Sequence, residues 1–211
     1  MSAKRLLGIV VPVVLLACSG WGQVNEVGVT AGRTWVSTQT VLNSGLSFNP
    51  TVHFGNEETV GFNYSRLLVT KGIFGFRAEV PAAIYFRMDL SSQHHGIPTD
   101  MGAFFVTPSF RVNFFSSDSV TPWVSVGGGY GRFRYAPTTN FYGNNPGPGG
   151  SNTGVVQFGT GLDVWFWRNL GARFELRDFY SGEPDLNITT SNSRQHNYYA
   201  GVGILYRFHH F

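Results

Sequence analysis

The chain has 211 residues, enough for one domain, with 13% charged residues, 16% aromatics and 27 glycines. So few charges beside so many aromatics exclude a disordered chain, and a single cysteine excludes a disulfide framework. The formal charge is +3, but Lys4 and Arg5 supply two of those charges; without them the remainder is nearly neutral and gives no case for nucleic acid.

Residues 1–22 read as a cleavable signal peptide. Lys4-Arg5 form a positive start, and Leu6 to Ala17 is an apolar run too short to span a bilayer as a helix. Small residues follow, and cleavage is expected near Gly22-Gln23. Cys18 belongs to this segment. Leu15-Leu16-Ala17-Cys18 is also similar to a bacterial lipobox, so lipidation of Cys18 is the alternative to its loss with the signal. Residues 23–211 form the second unit. No other segment carries 18 consecutive apolar residues, so no membrane-spanning helix is expected.

From Val24 onward the chain alternates apolar and polar residues in about eight runs. The spacing predicts strands at 26–36, 58–69, 73–86, 103–114, 122–134, 154–166, 171–180 and 197–208. Each is long enough to cross a bilayer at a tilt, which takes roughly 9–11 residues. Strand three is the clearest, with Phe74, Phe76, Ala78, Val80, Ala82, Ile84 and Phe86 on one face. Similar rows follow: Phe104 to Phe114 in strand four, Val156 to Phe166 in strand six, and Tyr198 to Phe208 in strand eight. The opposite faces carry Thr107, Ser109, Arg111 and Asn113; Gln157, Gly159, Gly161 and Asp163; and Gly171, Arg173, Glu175 and Arg177. With no helix available to cover the apolar face, the pattern describes a barrel turned inside out, lipid-facing outside and charged inside.

Connections alternate in length. Thr70-Lys71-Gly72, Ser116 to Thr121 and Arg168-Asn169-Leu170 are short. The other four run roughly 14 to 21 residues and include 136–153, rich in Gly and Pro. Short turns on one side and long loops on the other suit a barrel with periplasmic turns, extracellular loops and both termini periplasmic. Aromatics close the outward rows: Trp35, Phe86, Phe104, Tyr180 and Tyr198 near one rim, and Phe74, Phe114, Phe166 and Phe208 near the other. These are expected to form two girdles at headgroup level.

The chain ends in Tyr206-Arg207-Phe208-His209-His210-Phe211. An alternating last strand with a terminal Phe resembles the assembly signal of bacterial outer-membrane barrels. With Phe158-Gly159-Thr160-Gly161-Leu162-Asp163 and Arg173-Phe174-Glu175-Leu176-Arg177-Asp178-Phe179, the chain resembles the small OmpA/OmpX-like and opacity-type outer-membrane barrel family. The resemblance implies an all-β, eight-stranded, antiparallel up-and-down transmembrane barrel in the bacterial outer membrane, recognised by the barrel-assembly machinery through its C-terminal strand. Some relatives carry a peptidoglycan-binding domain after the barrel; that anchoring role is not expected for a chain ending at Phe211.

The expected site is the lumen. Glu26, Arg77, Glu79, Arg111, Asp163, Arg173, Glu175, Arg177 and Arg207 face inward, and charges in so narrow a barrel must pair. Asp163 should reach Arg173, and Glu26 should reach Arg207 where the barrel closes. The leading expectation is a structural or interaction protein, not an enzyme, with a charged plug and loops that contact lipids or an unidentified extracellular ligand. A porin-like channel is the alternative, and a lipid-modifying enzyme the third reading. For the last, Asp89, Ser91 or Ser92 and His95 supply acid, nucleophile and base types, but on a flexible loop. Neither a cofactor nor a metal is expected: His94 and His95 lack a third ligand, and His209 and His210 read as a polar tail. Gly127-Gly128-Gly129-Tyr130-Gly131 is not followed by the helix that phosphate cradling needs; its glycines are expected to relieve crowding. Arg33, Arg66 and Asp178 have lipid-facing parity near strand ends, and Arg132 and Arg134 end strand five on the outer side, within reach of lipid phosphates.

Overall fold

The computed structural model describes residues 24–40, 51–91, 98–116, 119–135, 139–140, 143–144, 149–184 and 193–209. The signal segment with Cys18, Ser92, His94, His95, His210 and Phe211 lie outside the described residues. Among the described residues eight strands form the wall: β1 (Val24–Val36), β2 (Asn56–Lys71), β3 (Phe74–Ser91), β4 (Asp100–Val106, continued by Ser109–Phe114), β5 (Val120–Tyr135), β6 (Gly150–Trp165), β7 (Leu170–Gly182) and β8 (Arg194–His209). Each pairs antiparallel with its sequence neighbours. The last closes on the first, from Val24 opposite His209 to Val36 opposite Asn197. A closed ring has no unpaired edge to attract other chains. The short segments Gln39–Thr40 and Thr51–Phe54 pair with each other, and the latter extends along the end of β3.

Burial is inverted relative to a water-soluble sheet. Val29, Phe62, Val80, Phe158, Leu176 and Ile204 are exposed on the outer wall, while Thr30, Asn63, Glu79, Gln157, Glu175 and Arg177 are buried inside. The outward row of β8 from Tyr198 to Phe208 spans about 33 Å of strand, or about 25 Å along the axis at a tilt of roughly 40°. That height matches the apolar band such barrels present to hydrocarbon, about 25 Å.

Several local features depart from simple alternation. β2 and β3 pair as far as Lys71 and Phe74, so the turn is Gly72-Ile73 rather than Thr70-Lys71-Gly72. Gly72 takes a φ of 59°, the left-handed value that a two-residue hairpin with Gly in first place uses. The register of β3 on β4 shifts between Tyr85 and Met88. That bulge moves the inward phase from odd to even positions and carries β3 on to Ser91, past the end at Phe86 that alternation implied. β4 is broken at Thr107-Pro108, because Pro108 has no N–H to offer. The wall stays joined there: Thr107 donates to the Pro81 carbonyl at 3.1 Å, and Gly128 donates to the Pro108 carbonyl at 3.2 Å. β6 ends at Trp165, so Phe166 belongs to the turn before β7, with Trp167 against it at 5.2 Å between ring centroids.

Candidate functional site

The lumen has two layers. Towards the turns, inward positions of β1, β3, β4, β6, β7 and β8 converge, among the described residues, on a network of four carboxylates and five guanidiniums. Glu26 on β1 receives Arg77 at 2.7 Å, Arg111 at 2.8 Å and Arg207 at 3.0 Å. Asp163 on β6 accepts a two-pronged bond from Arg173 across the hairpin, both arms 2.8 Å, and a third from the Trp123 indole at 3.0 Å. Glu79 on β3 receives Arg177 at 3.1 Å and the Asn63 amide at 3.1 Å. Arg177 also donates to Glu175 at 2.9 Å, and Glu175 accepts from Thr30 at 2.8 Å, which in turn accepts from Tyr199.

Arg111 connects these groups. It lies 2.8 Å from Glu26, 3.5 Å from Glu79 and 3.8 Å from Asp163, and it is 0% exposed. Among the described residues every cation in this layer is arginine, whose planar fork can bond two acceptors at once. Buried charges are tolerable only when compensated in this way. The compensation reaches all eight strands, through Glu26, Asn63, Glu79, Arg111, Trp123, Asp163, Arg173 and Arg207.

Trp123 sits at the centre of the charged layer, buried, with the guanidinium carbons of Arg111, Arg173 and Arg177 at 5.5, 5.0 and 5.0 Å from its ring. Cations at that range are attracted by the ring face. Trp123 is not among the inward residues expected from the sequence. Its signal was parity: it alternates with outward Pro122 and Val124 in β5. Space for it comes from Gly161, directly opposite, where an added Cβ would lie 2.5 Å from the indole.

The second layer lies towards the loops and is apolar, contrary to the expectation of a polar inner face throughout. Tyr85, Met88, Met101, Phe105, Phe133 and Phe179 pack there, all buried. Phe105 stacks on Phe179 at 5.1 Å and meets Phe133 edge-on at 5.8 Å. Periodicity could not reveal this layer in β4, where Met101, Ala103 and Phe105 face inward beside outward Phe104 and both faces are apolar. The glycine run in β5 gives way to neighbours here: a Cβ on Gly129 would strike the Val106 carbonyl, and one on Gly131 would lie 2.8 Å from the Phe105 ring.

On the outer wall, Trp35, Phe86, Phe104 and Tyr198 are exposed towards the loop end, with Tyr180 half-buried beside them. Phe74 and Phe166 are exposed towards the turn end, with Phe114 and Phe208 half-buried. Arg33 is exposed and Arg66 half-buried at opposite ends of the wall. Asp178 bonds His196 at 2.7 Å, and the His196 ring lies between Tyr180 and Tyr198. Asp89 and Ser91 stand at the loop end of β3, away from the charged layer.

The ring of eight antiparallel strands has the fold of small outer-membrane β-barrels. The chain is similar to the outer membrane protein OprG from Pseudomonas aeruginosa, with a TM-score of 0.53 and 11% identity over 92% of this chain and 99% of that one. It is similar to the outer membrane protein AlkL, solved in DMPC lipid bilayers, with a TM-score of 0.53 and 15% identity over 91% and 93%. Neisserial surface protein A gives a TM-score of 0.50 and 12% identity over 89% and 97%. At such identities the likeness is one of fold. No protein-family model matches the sequence, and no curated protein matches it.

Proposed function

We propose that the protein is a non-catalytic outer-membrane barrel whose lumen is closed and whose loops make surface contacts. The observation that carries this reading is the complete burial of Arg111, Asp163 and Arg173 in the charged layer of the lumen. Groups that line a water-filled pore are wetted; these are compensated by one another, and an aromatic layer covers them towards the loops. An eight-stranded barrel has just the width that side chains can fill. The exposed aromatics at both rims suit the two headgroup regions, and lipid is the partner of the wall between them.

In this reading residues 1–22, with Cys18, direct export and are removed. The turns and both termini face the periplasm, and β8 is the strand through which the assembly machinery recognises the chain. The long loops face outward and bear the contacts with an extracellular ligand. Planar-bilayer recording on refolded protein tests the closed lumen. No unitary current is expected from the wild type. Glu175→Ala and Arg177→Ala should lower the melting temperature in detergent. Steady wild-type openings, or unchanged stability with a large new conductance in those variants, would establish the channel reading instead.

A further inference from the structure

We infer that the outer wall at the loop end of β3, β4 and β5 binds the phosphorylated headgroup of a membrane lipid. The inference rests on the wall facing lipid, as proposed above. Arg132 and Arg134 flank the inward Phe133, so both project outward, about 7 Å apart along β5. Arg134 lies between Gly102 of β4 and Gly150 of β6, and Arg132 lies beside Phe104. Neither glycine sets a side chain beside Arg134, which is exposed. Gly102 also floors an open slot of about 390 Å³, walled by Ile84, Phe86 and Phe104, with both arginines at its edge. A Cβ at Gly102 would lie 2.7 Å from the Phe86 carbonyl oxygen, so the floor admits no larger residue without movement.

Local anions do not satisfy these cations. Asp100, the acid bordering the slot, accepts from Arg87 at 3.1 Å. Among the described residues neither Arg132 nor Arg134 has an acidic partner. The connecting segments 92–99 and 136–149 contain neither Asp nor Glu. Two guanidiniums without an acidic partner among the described residues, at the edge of a slot walled by Ile84, Phe86 and Phe104, complement an amphiphile with an anionic head and an acyl chain. A phosphomonoester carries about −1.5 to −2 charges and offers three acceptor oxygens, enough for both forks; a fatty carboxylate offers one charge and occupies one.

Native mass spectrometry of the refolded protein in a maltoside detergent tests this, with dioleoyl phosphatidic acid as probe. Wild type should retain one phosphatidic acid at lipid concentrations where dioleoyl phosphatidylcholine is not retained. The double variant R132Q/R134Q should retain at least tenfold less. Arg168→Gln, in the exposed turn at the other end, should behave as wild type. Inorganic phosphate at the same concentration should give no adduct, because it lacks a chain for the slot. Gel mobility before and after heating establishes that each variant is a folded barrel; should the double variant not fold, Arg132→Lys/Arg134→Lys, which keeps charge but loses the forks, is expected to show at least a threefold loss. Equal retention by wild type and the variants, equal retention of phosphatidylcholine, or equal binding of free phosphate would overturn the inference. None of these outcomes bears on conductance, so the closed lumen stands or falls separately.

Discussion

Arg111 concentrates the energetics of the lumen, because three acids share its charge. Replacing it with Met would leave Glu26, Glu79 and Asp163 buried with fewer partners. Breaking a buried ion pair by removing one member costs about 3–5 kcal/mol. Urea unfolding of Arg111→Met in detergent should show a loss in that range. Arg207→Met should cost less, since Arg207 lies nearer the rim, with 23% of its side chain exposed, and Glu26 keeps Arg77 and Arg111. Gly161 carries a separate prediction. An alanine there meets the Phe174 carbonyl as well as the Trp123 ring and should destabilise by about 1–3 kcal/mol through overpacking. A variant as stable as wild type would show that both the β7 backbone and Trp123 have room to move.

For a whole strand, the question is which face meets hydrocarbon. Leu176 lies midway along β7 and is exposed on the outer wall, between inward Glu175 and Arg177. Leu176→Arg should cost about 2–4 kcal/mol in lipid vesicles, the depth-dependent penalty for a cation at mid-bilayer. Val156→Arg, towards the loop end of β6, should cost roughly 1 kcal/mol or less, because its charge reaches the interface. Folding titrations in urea with the vesicles present compare the two. The alternation that made these strands readable in the sequence is the same property tested here. It read well wherever one face is polar, as from Phe74 to Phe86. It failed where the inner face is apolar too: Met101, Ala103 and Phe105 look like neighbours of Phe104 rather than a separate inward set. The bulge after Tyr85 also has no local sequence mark, since a one-residue slip appears only in the pairing.

At the scale of the molecule, the barrel encloses an ionic layer beneath an aromatic one, inside a wall that presents Val, Leu, Ile, Phe and Tyr outward. The pairs Asp163–Arg173 and Glu26–Arg207 are visible in the sequence because they face each other across adjacent strands. Arg111 reaching Glu26 is not, since it crosses the lumen between strands far apart in the chain. A membrane barrel requires hydrocarbon outside the ring. Single cysteines placed at Phe62, Phe158, Leu176 and Ile204, with Cys18 absent, can carry spin labels in lipid vesicles. Collision rates with oxygen and with a water-soluble nickel chelate then report the surroundings of each label. High oxygen and low nickel access is expected at all four sites; nickel access exceeding oxygen access there would contradict a lipid-facing wall.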